Sequence, residues 1–484
     1  MSNILPRLTR SGAARPAAGI VHLGLGAFFR AFGVPAIEEA MAASGGNWGI
    51  IGVSLKTPGT RDKLAPQDFV YTAVEQAPGG ERPQIHEAVQ SVLVAPEDPE
   101  AVLNIMAEPK TRIVSLTVTE KGYCREPATG RLDTDRREIR HDLANPLPQS
   151  APGFLVRALE RRRRAGHPPF TVLSCDNLPE NGALTRSIVL TMARAIDPDL
   201  AAWIEAQGRF PSTMVDRIVP ATRPEDVERI AHLTGRLDAA PVLHEPFRQW
   251  VIEDDFVPVP GRDARPDFAA AGILMVDDVR PYELMKLRML NGTHSALAYL
   301  GYLAGHETVY AASTDPVYET FLGMLWTAEL APSFDPPDGI DLEGYAAQLL
   351  ARYKNSAIQH RTWQIAMDGS QKLPQRILAP LSDNLAAGRA SPGLILVIAA
   401  WIRYVSGTDD AGADIDVRDA ALDRLQAAVA ASTDGTERVN ALLSLSDVFD
   451  PALATEIEAD VVAAYETLSA NGARAAIAKI LPNA

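Results

Sequence analysis

Two cysteines, Cys124 and Cys175, are all that 484 residues contain. That is too few for a disulfide framework or a structural zinc site, and it fits a reducing cytoplasm. Basic charge is scarce as well: 46 Lys and Arg stand against 61 Asp and Glu, a formal net charge of −15. Neutralising phosphates is the main source of affinity for nucleic acid, so no nucleic-acid partner is expected. No apolar run reaches the ~20 residues that a bilayer requires, and residues 1–16 hold no apolar stretch before a small-residue cleavage site, so neither membrane insertion nor export is expected. His-Glu-x-x-His, His-x-Glu and Cys-x-x-Cys groupings are missing too, which removes the usual ligand patterns of a zinc enzyme and leaves no metal residue to name.

What is present describes a globular chain. Hydrophobic residues make up 46% and charged residues 22%, and the length suffices for two domains with separate cores. The one basic run, residues 161–164, stands before the turn signal Gly166-His167-Pro168-Pro169. It reads as the solvated end of an amphipathic helix, where cations complement the dipole.

The spacing of apolar residues predicts a strand at 20–23, a glycine turn, a helix running past Met41, and a second strand at 48–53. Further strand-like runs at 112–118 and 170–174 alternate with helix-like segments at 98–106 and 153–165, and this alternation predicts a parallel, doubly wound sheet. After a short strand at 273–276 the pattern turns helical, with segments at 284–304, 317–331 and 342–353. The expected architecture is therefore an α/β Rossmann-type domain with a mostly parallel sheet (1–278), followed by an all-α domain (279–484), the active site lying in the cleft between them.

Gly24-Leu25-Gly26 follows a strand and opens a helix, an arrangement in which the backbone can approach a pyrophosphate resting on the helix N-terminus. The full fingerprint is absent: Phe29 occupies the third glycine position, and Ser54, Leu55 and Lys56 stand where a ribose-binding carboxylate would end the second strand. By itself the turn fits a plain strand-to-helix connection equally well. Lys56 and Arg61 near the expected ribose leave NADP open beside NAD.

The segment from Pro281 to His294 is the most informative. Taking about 100° per residue with Lys286 as origin, Glu283 falls near 60°, His294 near 80° and Asn291 near 140°. Four polar groups thus share one side of a helix whose remainder is covered by Leu284, Leu287, Met289 and Leu290, which places the polar arc toward a cleft. A buried lysine has a depressed pKa and can act as a general base on an alcohol, and a nearby amide can donate to the developing alkoxide. The same spacing also fits a salt-bridged helix with Glu283 pairing Lys286. Tyr282 and Lys286 further spell the Tyr-x-x-x-Lys pair of short-chain dehydrogenases, but far beyond Gly24 and inside the helical part.

Six separated segments, in order, carry a resemblance to a known family. They are Ile20-Val21-His22-Leu23-Gly24-Leu25-Gly26-Ala27-Phe28, Thr117-Val118-Thr119-Glu120-Lys121-Gly122-Tyr123, Ser174-Cys175-Asp176-Asn177, Met214-Val215-Asp216-Arg217, Glu245-Pro246-Phe247-Arg248-Gln249-Trp250, and Lys286 through His294. Together they resemble the mannitol dehydrogenase family of polyol-specific long-chain dehydrogenases. The resemblance implies NAD as cofactor, with Gly24, Gly26, Ala27, Phe28, Thr119 and Glu120 in its site. It further implies Lys286 as the catalytic base, Asn291 and Asn177 as the oxyanion-stabilising pair, His294 and Asp216 as orienting residues, and Glu283 as a gate for proton exit. Phe29 and Phe32 depart from the family, whose members commonly carry histidines there.

Within that family the chain is most similar to the branch that interconverts D-fructuronate and D-mannonate, through residues 118–124, 360–376 and 400–404. A carboxylate substrate calls for a cation, and Lys372, Arg361 and Arg376 are available, Lys372 foremost. Neutral polyols such as mannitol are the alternative substrates, and a catalytically silent NAD-binding protein is the alternative class. The partners expected are a small sugar acid or polyol, with the chain a monomer or weak homo-oligomer.

Overall fold

The computed structural model describes residues 5–126 and 130–481; residues 1–4, part of the stretch read for an export signal, lie outside the described residues. The chain divides into two compact units, Met1–Arg280 and Pro281–Ala484.

The first unit is built on five parallel strands: β1 (Ala18–Leu23), β2 (Gly49–Ser54), β3 (Val89–Val94), β4 (Ile113–Leu116) and β5 (Thr171–Ser174). Their spatial order is β3-β2-β1-β4-β5. β1, β2, β4 and β5 are buried nearly end to end. Strands covered on both faces are mostly apolar, which is why they read as near-continuous hydrophobic runs, and polar exceptions such as His22 and Ser115 bond one another. β3 lies at the edge, and Gln90 and Ser91 interrupt its apolar residues, so it carries no such run. The strand order reverses between β1 and β4, the place at which open α/β sheets bind ligands beyond their carboxyl ends.

Two small mixed sheets complete this unit. Tyr71–Ala77 pairs antiparallel with Gly80–His86 and parallel with Val242–His244. Gln249–Glu253 pairs antiparallel with Thr213–Asp216 and parallel with Leu274–Val276. The helix Ala151–Arg164 ends on the four arginines as expected, but the run is not a uniformly solvated face. Arg162 is buried and donates to the carbonyls of Pro168, Glu108 and Thr111 at 2.6, 2.9 and 2.9 Å, and burial lowers its pKa to about 10. Its neighbours Arg161, Arg163 and Arg164 pair with Glu100, Asp197 and Glu160.

In the second unit every regular element among the described residues is helical. Its centre is Pro392–Val405, apolar on all sides and buried over almost its whole length, as a helix inside a core must be. The buried Glu329 carboxylate caps that helix from outside, accepting from the Gly393 and Leu394 amides at 2.8 Å each. Burial dominates over those two bonds and pushes its pKa up to about 7. The segment expected as one helix at 284–304 is not uniform. It runs as an α-helix over Arg280–Met285, a π-helical stretch over Lys286–Gly292, an α-turn over Thr293–Ala296 and a second π-helical stretch over Leu297–Gly301. Among the described residues no helix is long and apolar enough to cross a membrane.

Candidate active site

In the first unit the glycine turn joins the end of β1 to the helix Ala27–Ser44. Gly24 has φ +92°, and a Cβ there would collide with the Thr117 carbonyl, its carbon only 2.9 Å away. The turn is stapled to the end of β4. Thr117 Oγ1 donates to Gly24 O at 2.8 Å, and the ring of His22 bridges Ser115 Oγ and Thr117 Oγ1 at 2.8 Å each. Burial lowers the His22 pKa to about 3, so the imidazole is a neutral hydrogen-bonding spacer.

Gly26 is different. Its φ of −90° is open to any residue, and a Cβ would meet nothing closer than Gly24 O at 3.7 Å. Gly26 is exposed, and the helix it begins has neither a side-chain cap nor an acidic residue in its first turn. Bare amides, a positive dipole end and an unobstructed approach fit a dinucleotide pyrophosphate. The missing third glycine is also accounted for. The ring of Phe29 stacks on His22 with centroids 3.4 Å apart and lies across Gly33, whose Cβ would come within 2.7 Å of it. Gly33, one turn after Phe29 on the same helix, thereby makes room for the ring that stands at the third glycine position. Ala27 and Phe28 follow Gly26 half-buried, Phe28 stacked on Phe32.

The loops after β4 and β5 are tied together by Asp176. Its carboxylate accepts from the amides of Val118 and Thr119 at 2.9 Å each and from Tyr123 Oη at 2.8 Å, while Tyr123 Oη also meets Ser174 Oγ at 2.5 Å. Thr119 is held at φ +63°, a strained conformation of the kind that surrounding structure maintains at functional sites. Thr119 and Glu120 are exposed at the end of β4, Glu120 paired with Arg125, and Asn177 is exposed next to Asp176. Asp176 and Tyr123 were not singled out for any role from the sequence, although both lie inside its matching segments. Asn181 joins this loop to the neighbouring sheet, donating to Asp176 O and Thr213 O at 2.9 Å each. Asp216, buried, ends that strand opposite Gln249. Two of the matching segments, 214–217 and 245–250, are therefore paired strands and their flanks; Arg217 fastens them by donating to Phe247 O at 2.9 Å and ties them to the helix Ala27–Ser44 by donating to Ala31 O at 2.7 Å.

Near the end of β2 the sequence left cations open to a ribose phosphate. Arg61 is engaged by Asp62 and by Glu97 beyond β3, so its charge is already balanced.

In the second unit Lys286, Asn291 and His294 are all buried on one chain segment, and Glu283 is half-buried one turn earlier. The π-helical stretch changes their relation. Bonds from i to i+5 stack residues five apart, so Asn291 turns toward the face of Lys286 instead of standing about 140° away. Side chains take up carbonyls along the widened turns: Thr293 Oγ1 and Trp326 Nε1 donate to Met289 O at 2.5 and 3.0 Å, and Tyr353 Oη donates to Leu290 O at 2.9 Å. Leu284, expected on a covered face, is exposed, while Arg288 is buried and bound to Ser333 O and Asp383.

Gly292 explains how a second cation reaches this segment. A Cβ there would lie 3.0 Å from Arg376 O, so the glycine admits the backbone of Pro374–Leu378 and brings the Arg376 guanidinium within 3.5 Å of Ser295 Oγ. Burial, reinforced by the neighbouring His360 and by the charges of Arg352, Arg376 and Lys286, holds the His294 pKa well below that of a free imidazole. Lys372 is half-buried and donates to the carbonyls of Ile365 and Met367 at 3.2 and 2.5 Å. Burial and Arg376 lower its pKa to about 8. Among the described residues no three His, Cys, Asp or Glu side chains are grouped as metal ligands.

Comparison with known proteins finds relatives over nearly the whole chain. Residues 18–260 match the mannitol dehydrogenase Rossmann domain and residues 278–469 the mannitol dehydrogenase C-terminal domain. The chain is 46% identical to a D-mannonate oxidoreductase of Escherichia coli K12 over 95% of both sequences. It superposes on Pseudomonas fluorescens mannitol 2-dehydrogenase, solved as a ternary complex with NAD and D-mannitol, with a TM-score of 0.85 at 35% identity, covering 99% of this chain and 97% of that one. On a substrate-free D-sorbitol dehydrogenase the TM-score is 0.89 at 33% identity, covering 98% of each. The chain belongs to the mannitol dehydrogenase family of NAD-dependent oxidoreductases.

Proposed function

We propose that this protein reduces D-fructuronate reversibly to D-mannonate with NADH, using Lys286 as general acid and base and no metal. The observation that carries the reading is the concentration of positive charge around His294. Lys286, Arg352 and Arg376 lower its pKa from nearby, and Lys372 does the same to the neighbouring His360. A sugar acid brings a carboxylate, the group that such a concentration of cations suits. Similarity to a D-mannonate oxidoreductase points the same way.

NADH, when bound, supplies the hydride for the carbonyl carbon. Gly24, Gly26, Ala27 and Phe28 would hold its pyrophosphate, and Thr119 and Glu120 would line its site beyond β4. Lys286 gives a proton to the oxygen that becomes the alcohol and takes it back in the oxidative direction. Asn291 and Asn177 donate to that oxygen while it is charged, His294 and Asp216 orient the sugar chain, and Glu283 passes the Lys286 proton toward solvent. Lys372 receives the carboxylate. The balanced Arg61 supports NAD over NADP.

Spectrophotometric assay of mannonate, altronate, mannitol, arabinitol and sorbitol with NAD and NADP tests this directly. Mannonate with NAD should give the highest kcat/KM, and activity should survive prolonged dialysis against a strong chelator. The second reading, mannitol oxidation, draws on the likeness to mannitol 2-dehydrogenase and would be adopted if mannitol exceeded mannonate.

A further inference from the structure

His360 has no part in the scheme above, yet it lies against one of its central residues. Its ring meets that of His294 edge to face, with centroids 5.5 Å apart and an interplanar angle of 82°. Nδ1 of His360 is buried without a hydrogen-bond partner, and so is Nε2 of His294. The backbone around His360 is pinned: its carbonyl accepts from Val309 N at 2.9 Å, and Thr362 N donates to Glu307 O at 3.1 Å. The backbone that carries the ring is therefore set in place. Burial and the charge of Lys372 bring its pKa down to about 4, so it is neutral.

A histidine that merely fills a core satisfies its ring nitrogens, because a buried polar atom without a partner is destabilising. Here two adjacent neutral imidazoles each leave one nitrogen unanswered, beside a lysine. Such a pair suits a ligand that offers hydroxyl or carboxylate oxygens to both rings. We infer that His360 is a substrate-contacting residue, whose Nδ1 hydrogen-bonds the polar end of the sugar acid between His294 and Lys372. This inference rests on the sugar-acid reading for the identity of that end.

The test uses the full-length enzyme with three variants: His360→Asn, whose amide reaches the position of Nδ1, His360→Gln, whose amide reaches that of Nε2, and His360→Leu. Steady-state kinetics are run with mannonate and mannitol, alongside NADH binding by fluorescence and thermal melting. Losing one buried hydrogen bond should raise the KM for mannonate roughly ten- to hundredfold in His360→Leu and His360→Gln, with kcat within about threefold. NADH affinity and melting temperature should stay close to wild type, and His360→Asn should recover most of the KM. Unchanged KM in His360→Leu, or a His360→Asn as impaired as His360→Leu, overturns the inference. A wild type active on mannitol but not on mannonate refutes the sugar-acid reading instead. In that case a rise in the mannitol KM that His360→Asn reverses keeps His360 as a substrate contact, and no rise removes it.

Discussion

Gly24 and Gly26 lie two residues apart, but substitution by alanine should affect them in different ways. At Gly24 the φ of +92° alone costs an L-residue about 1–3 kcal/mol, and the added methyl would drive into the Thr117 carbonyl. The junction of β1 and β4 must then shift, and the hydrogen bond from Thr117 to Gly24 goes with it. Gly24→Ala should therefore lower the stability of the first unit by at least about 2 kcal/mol and weaken NADH binding as a consequence. At Gly26 the protein offers no objection, since φ is −90° and a Cβ has 3.7 Å to its nearest neighbour. Gly26→Ala should melt like wild type. Its methyl would nevertheless stand where a pyrophosphate approaches the bare amides, at the expense of one or two hydrogen bonds to a charged group worth about 1.5–3 kcal/mol each, so NADH affinity should fall at least tenfold. Titration of NADH fluorescence together with urea unfolding separates the two effects. Wild-type NADH affinity in Gly26→Ala would show that the phosphates bind elsewhere, and a Gly26→Ala as unstable as Gly24→Ala would show that the steric argument is wrong.

Lys286→Ala should lower kcat by roughly 10²–10⁴-fold while leaving the NADH dissociation constant within about twofold, and a variant with a tenth of wild-type turnover would remove the base from Lys286. Because the Lys372 pKa is about 8, the KM for mannonate should climb as pH rises past about 8 and the ammonium is lost. Mannitol should show no such rise, and a pH–KM profile of Lys372→Met should be flat in that window. Glu329 provides a stability test. Its pKa stands at about 7 against an ordinary 4.5, so its contribution is fully present below pH 4.5 and is lost as pH rises through about 7, a change of about 3 kcal/mol. Urea unfolding at pH 5 and pH 8 should show that loss in wild type and not in Glu329→Gln; equal pH dependence in both would refute the assignment.

The parallel sheet was legible in the sequence because burial on both faces makes β1, β2, β4 and β5 predominantly apolar. β3 and the two small mixed sheets were not, apart from the short strand at 273–276, since an edge strand such as Gly80–His86, largely exposed, carries no apolar signature. The arginine run was misread for a related reason. Charge density says nothing about which member of a run is buried, and Arg162 is held by backbone carbonyls that no side-chain pattern announces. Lys286, Asn291 and His294 were singled out from spacing and family likeness, but their angular relation was not legible, because the 100° wheel presumes an α-helix throughout. Asp176, Tyr123 and His360 stayed silent because their partners are backbone amides, a distant serine and another ring, none of which is adjacent in the chain.

The departure from α-geometry at residues 286–292 is the step that joins fold to chemistry in the second unit. A π-helical stretch is less favourable than an α-turn of equal length, and it persists only where something outside the ladder compensates. Here the compensation is specific: Thr293 and Trp326 hold the Met289 carbonyl, and Tyr353 holds that of Leu290. In a regular α-helix Lys286 and Asn291 would diverge, and an amide could not serve the same oxygen as the ammonium. With the i→i+5 register both project toward one side, and Gly292, just beyond, leaves the Arg376 backbone free to close in. Tyr353 also flanks His294, with ring centroids 4.8 Å apart, so one residue supports the widened helix and packs the imidazole that it presents. The geometry proposed for catalysis is thus held by groups that touch neither substrate nor cofactor in the scheme.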